Sequence, residues 1–216
     1  MTAPTLQARA LTTVRSAILD GELAPGQKLI ERELTELTGA SRSVLREALV
    51  NLEANGLIER ESYRGFRVTQ LSLETINEIF ELRATLETLA FELFAVRATD
   101  AELTQLRDRW SHLASCARGN DPSAMRAAKE QWYDVVFVGC GNRELRRALE
   151  HVVVRISYLR TQWAADASRR AASVAELGEL TDALAARDQR AARAASLTHL
   201  DAARTAAIAR LQSQPA

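Results

Sequence analysis

The chain has 216 residues, with 28 basic and 28 acidic side chains and 47% hydrophobic residues. Those proportions exclude disorder over most of its length, and zero net charge excludes a protein that coats nucleic acid or anionic membrane by bulk attraction. There is room for one or two domains, and 38 alanines against 9 glycines and 4 prolines point to a mostly helical chain. Only Lys28 and Lys129 are lysines, so arginine carries nearly all the positive charge. Cys116 and Cys140 have neither zinc-type nor CxxC spacing, and they read as reduced core thiols of a cytosolic protein. No basic segment followed by an apolar stretch opens the chain, so no signal peptide is expected. The apolar run Val135–Cys140 falls far short of the ~20 residues of a membrane helix.

Leu11, Val14 and Ile18 set a helical period over Leu6–Asp20, with Gly21 at its C-terminal end. Ala24-Pro25-Gly26 marks a turn. A short helix spans Glu31–Leu37 and breaks at Gly39, and Ser41 is placed to cap a helix running to about Asn55. Gly56 ends that helix. Two β-prone runs follow, Leu57–Glu61 and Phe66–Thr69, joined by Ser62-Tyr63-Arg64-Gly65 as a hairpin. The order is helix, helix–turn–helix, two-stranded wing. From Ser72 onward the periodicity is helical to the end, giving five or six helices in an antiparallel bundle. The expected fold is therefore mainly α, with a winged helix–turn–helix over residues 1–70 and an all-helical domain over 71–216. The short join at Gln70–Leu73 couples the two.

In the helix after Gly39, Leu45, Ala48, Leu49 and Leu52 form the inward face. Arg42, Ser43 and Arg46 fall on the opposite face near the N-terminus, where a recognition helix meets base edges. Arginine can fork onto guanine O6 and N7, and Ser41 and Ser43 can donate to phosphate. Gly65 permits close backbone approach at a wing tip. Two arginines on a surface helix can equally be solvated charge, and residues 1–70 balance nine basic against nine acidic side chains. The succession of elements decides for DNA reading.

The stretch Ile18–Val68 resembles the winged helix–turn–helix of GntR-family transcriptional regulators. It carries G-x-L-x-P-G-x-x-L at Gly21–Leu29, S-R-x-x-x-R-E-A-L at Ser41–Leu49, L-x-x-x-G-L-I at Leu52–Ile58, and the Arg64-Gly65 wing. The resemblance implies DNA contacts from Arg32, Ser41, Arg42, Ser43, Arg46, Tyr63, Arg64 and Gly65. The second part is similar to the FCD domain of the FadR subfamily, through E-L-R-x-x-L-E at Glu81–Glu87, Gly141-Asn142, Ala185–Asp188 and His199-Leu200. Many such domains hold a divalent metal through Asp and His in D-x-x-F-H and two later histidines. Here the aligned positions are Lys129, Tyr133, Leu177 and His199, so one ligand of four remains, and no metal or other cofactor is expected.

Lys129 shares a stripe with Met125, Trp132 and Val136 and so points toward the core, where an ammonium needs a partner. It can stand in for the missing metal and hold an anionic effector such as a carboxylate, with Arg83, Tyr133 and His199 beside it. Arg83 can instead pair with Glu87 four residues on, Lys129 can pair with a core carboxylate or snorkel to the surface, and His199 can be a satisfied core histidine. The expectation is a cytoplasmic, homodimeric, ligand-responsive repressor on a roughly palindromic operator, with no membrane partner. Alternatives are a bundle that no longer senses a ligand, or one that senses a larger acyl-type molecule. No nucleophile elbow, phosphate loop or dinucleotide fingerprint is present, so an enzyme is not expected.

Overall fold

A computed structural model describes residues 5–61, 65–119, 121–161 and 167–213, and between 150 and 161 only the side chains of Val152, Arg155 and Tyr158. The chain divides into two compact units. The first takes residues 1–72 together with Val154–Tyr158, and the second takes 73–153 and 159–216.

In the first unit, α1 (Leu6–Leu19) starts at Thr5, whose Oγ1 accepts from the Ala8 amide at 3.2 Å. It buries Ala10, Val14, Ala17, Ile18 and Leu19. Two residues of extended chain, β1 (Lys28–Leu29), lead into α2 (Glu31–Thr38). Gly39 ends α2 in the left-handed conformation at φ 66°, where any Cβ would be strained. The chain then turns within two residues into α3 (Arg42–Ala54), with Ser41 as its N-cap. Leu45, Ala48, Leu49 and Leu52 of α3 are fully buried and pack against α1 and α2, as their spacing requires.

The wing is an antiparallel sheet in the order β1–β3–β2, made by β2 (Ile58–Glu61) and β3 (Gly65–Val68) with β1 on its edge. Ile58 pairs with Val68 and Arg60 with Phe66, while Leu29 pairs with Phe66 from the other side. The two strands read from the sequence are therefore joined by a third. Two residues are too few to show an alternating pattern, and β1 exists because β3 offers it a free edge.

The second unit consists of α4 (Leu73–Arg97), α5 (Asp100–Arg118), α6 (Pro122–Gly139), α7 (Arg143–Thr161), α8 (Ala167–Ala185) and α9 (Gln189–Gln212). Three starts show side-chain caps: Thr99 and Glu102 form a capping box on α5, Asp121 caps α6 ahead of Pro122, and Asp188 caps α9. The core is built from Phe91, Phe94, Leu106, Leu113, Trp132, Val136, Leu177, Leu180 and Leu184, all buried. Trp132 Nε1 donates to Thr181 Oγ1 at 3.1 Å, so the indole nitrogen is satisfied inside that core. Gly139 lets α6 approach α4 closely, because a Cβ there would meet the Phe94 ring at 2.6 Å. Among the described residues no helix is long and apolar enough to cross a membrane.

Candidate functional site

Two sets of residues answer to the sequence expectations, one in each unit. In the first unit, Arg32, Ser41, Arg42, Ser43 and Arg46 are all exposed. Burying one side of α3 leaves its N-terminal turn facing outward, and the α2–α3 turn at Gly39 brings Arg32 onto the same helix pair. Ser41 and Ser43 hydroxyls lie 3.1 Å apart at the helix start. Arg46 Nε donates to both carboxylate oxygens of Glu31, at 3.1 and 3.3 Å, while 68% of its side chain stays exposed. That contact orients the arginine without hiding it. An exposed pair of this kind contributes little to stability, so it does not oppose a switch to a phosphate or base. Gly65 is exposed at φ +92°, a conformation that suits glycine. Tyr63 and Arg64 lie outside the described residues.

The second set is buried in the bundle. Four helices each contribute polar groups one helical turn apart: Arg83 and Glu87 from α4, Lys129 and Tyr133 from α6, Ser173 and Glu176 from α8, and Ser196 and His199 from α9. Arg83 is 1% exposed, and its Nε donates to Glu87 Oε1 at 2.7 Å. Its guanidinium also lies over the Phe80 ring at 4.7 Å and beside the Tyr133 hydroxyl. Burial works to lower the Arg83 pKa, but Glu87 and Tyr133 outweigh it and hold it above its ordinary value. Lys129 is half-buried, and its Nζ donates to the Ser173 hydroxyl at 2.6 Å.

His199 is 1% exposed, and its Nδ1 lies 2.6 Å from Glu176 Oε2. Arg169 forks onto the same carboxylate, Nη1 to Oε1 at 2.5 Å and Nη2 to Oε2 at 2.7 Å. Burial pushes Glu176 up, yet the Arg169 and His199 hydrogen bonds and charges prevail and hold it at about 2. Burial lowers His199 to about 3, with the Lys129 and Arg83 charges adding to it against the pull of Glu176. The imidazole is therefore neutral at pH 7. A carboxylate can only accept, so Nδ1 carries the proton and Nε2 is a bare acceptor. Nε2 is buried and has no hydrogen-bond partner among the described residues.

The structure thus brings Arg83, Lys129, Tyr133 and His199 together in one cluster, with Lys129 and Arg83 close enough to influence His199 electrostatically. The i,i+4 pair of Arg83 with Glu87 is also formed. Lys129 bonds the Ser173 hydroxyl. Sequence reasoning missed Arg169, Ser173 and Glu176. These three occupy one face of α8 at i, i+4 and i+7, a polar stripe beside the apolar Leu177–Leu180–Leu184 stripe. That spacing was the available signal.

The cluster does not fit a divalent metal. An ammonium stands where the resemblance puts a carboxylate ligand, and the buried Leu177 stands where it puts an imidazole. Nδ1 of His199 is committed to Glu176, and among the described residues no group of three His, Cys, Asp or Glu gathers where an ion could be held.

Comparisons with known proteins bear on both units. The family model for the FCD domain matches residues 78–202, and the model for bacterial regulatory proteins of the gntR family matches residues 6–68. The chain is 33% identical over 178 residues to the Nta operon transcriptional regulator of Aminobacter aminovorans, covering 82% of each protein. It is 30% identical over 148 residues to the uncharacterized HTH-type transcriptional regulator YdhC of Bacillus subtilis, covering 68% of this chain and 66% of that protein. With the galactonate operon transcriptional repressor of Escherichia coli it shares 28% identity, over 88% of this chain and 91% of the other. Among solved structures, E. coli McbR/YncC superposes with a TM-score of 0.83 over 98% of this chain and all of that one, at 20% identity, a likeness of fold. These relatives are regulators, not enzymes.

Proposed function

The chain belongs to the GntR family of bacterial regulatory proteins and carries an FCD domain, and from that premise we propose that it is a cytoplasmic, homodimeric repressor released from its operator by a small anionic organic effector. Arg42 and Arg46 on the outer face of α3 read the major groove, Arg32, Ser41 and Ser43 hold phosphates, and the wing tip Tyr63-Arg64-Gly65 enters a groove. Two-fold symmetry of the dimer requires a roughly palindromic operator. The effector sits in the bundle at Lys129, Tyr133, His199 and Arg83 without a metal. The observation that carries this reading is the replacement of the metal ligands by Lys129, a cation anchored at 2.6 Å on Ser173 beside the buried His199.

Among the described residues Arg83 pairs with Glu87, Arg169 pairs with Glu176, and Lys129 lies on the Ser173 hydroxyl. An ammonium at that place attracts an anion and repels a cation. Binding there ties α4, α6, α8 and α9 together and shifts the bundle toward one arrangement. A coupling of roughly 1–3 kcal/mol to the DNA-binding face is sufficient for regulation.

Selection from a pool of random duplexes tests the first half: enrichment of a palindrome supports it, and an unenriched pool refutes it. A thermal-shift series with small mono- and dicarboxylates tests the second half. Stabilisation of wild type that is lost in Lys129→Ala supports the site. A flat response to every acid refutes it and marks a bundle that regulates without a carboxylate.

A further inference from the structure

Away from the buried cluster, α5 carries a thiol and an imidazole on one outer stripe. His112 and Cys116 stand one helical turn apart, and the Cys116 sulfur lies 3.7 Å from His112 Nε2. His112 is exposed and Cys116 half-buried. Cys116 packs against the bundle core, which limits where its sulfur can turn. The Thr99–Glu102 capping box fixes the start of α5, so both side chains project from a helix that is already set. Cys140 differs in kind: it is fully buried, and its thiol donates to the Phe137 carbonyl at 3.3 Å.

An ion about 2.3 Å from a thiolate sulfur and about 2.0–2.1 Å from an imidazole nitrogen, with a tetrahedral angle between them, holds the two donor atoms about 3.6 Å apart. The pair on α5 already stands at 3.7 Å. We propose that His112 and Cys116 form a two-ligand site for a thiophilic divalent ion of the zinc class on the outer face of α5. Binding makes one bond to sulfur and one to Nε2, and the thiol proton leaves to solvent. A thiolate with an imidazole selects such an ion over magnesium or calcium, which take oxygen ligands. Among the described residues no third His, Cys, Asp or Glu joins the pair, so water fills the remaining positions and the ion stays exchangeable. The site shares no residue with the effector cluster and stands or falls apart from it.

Cobalt(II) alone, titrated into the reduced full-length protein, tests this. A cobalt–thiolate bond gives a near-ultraviolet charge-transfer band that imidazole and carboxylate ligands do not, so ions held elsewhere in the bundle stay silent. Wild type should develop the band to one equivalent, and zinc should displace it. Cys140→Ser should keep the band and Cys116→Ser should lose it. His112→Ala should bind about tenfold or more weakly, the least that loss of even an outer-shell partner costs a metal site. In wild type, zinc should also slow alkylation of Cys116 by iodoacetamide, read by peptide mass spectrometry, a readout that needs no variant to fold. Absence of the band in wild type, a band that survives Cys116→Ser, equal affinity in His112→Ala, or alkylation indifferent to zinc would overturn the proposal.

Discussion

Glu87→Ala is expected to damage the bundle more than any exposed substitution. Glu87 and Arg83 are both about 1% exposed, and they meet through Nε at 2.7 Å and Nη2 at 3.4 Å. Removing the carboxylate leaves a guanidinium in the core with, among the described residues, the Phe80 ring and the Tyr133 hydroxyl beside it. Breaking one side of a buried pair in this way costs about 3–5 kcal/mol. All three tryptophans, Trp110, Trp132 and Trp163, lie after residue 72, so tryptophan fluorescence during urea unfolding follows the second unit. With a slope of about 1–3 kcal/mol per molar urea, the midpoint should fall by at least about 1 M. Replacing both partners by apolar residues, Arg83→Met with Glu87→Leu, should restore most of the loss, because no charge is then left unpaired. A single variant within about 1 kcal/mol of wild type, or a double variant no better than the single, would refute the reasoning.

Three further outcomes follow from the structure. On a selected operator, Arg42→Ala and Arg46→Ala should each cost about 1–3 kcal/mol, roughly 5- to 150-fold in anisotropy titrations, and unchanged affinity in both would remove α3 from the interface. Gly139→Ala should destabilise the second unit by about 1–3 kcal/mol, read as a lower urea midpoint, since the new Cβ would meet Phe94 ring carbons at 2.6 and 2.8 Å; a neutral result would mean that α4 and α6 separate freely. Acid should destabilise the second unit in two overlapping windows. The unfolded chain protonates His199 near its ordinary 6.5 while the folded chain refuses until about 3, and Glu176 adds a loss from its ordinary 4.5 down to about 2. His199→Gln should flatten the fall above about pH 4.5, and a midpoint that rises on acidification there would contradict the sign.

The sequence carried the first unit almost whole because each of its elements is punctuated. Gly39 stops α2, Ser41 starts α3, and the Leu45–Leu52 spacing fixes which face turns inward. β1 was not legible, since Lys28 and Leu29 become a strand only through β3. In the bundle, Arg83 and Lys129 were findable because a charge on an apolar stripe demands attention. Tyr133 and His199 came from the aligned ligand positions. Glu176 and Arg169 were hidden because α8 was read by its leucines alone. The two charges sit seven residues apart, on a face that becomes interior once α9 places His199 against it. A buried imidazole needs a partner on Nδ1, and only the assembled bundle names it.

The central claim is that a small acid controls DNA binding through this cluster without a metal. Fluorescence anisotropy of the protein on its selected duplex, after exhaustive chelation, tests it most directly by titrating in carboxylates. Release should persist without divalent ions in wild type and should be abolished in Lys129→Ala, which still binds the duplex. Release that requires an added divalent metal, or that is the same in both proteins, would contradict the account.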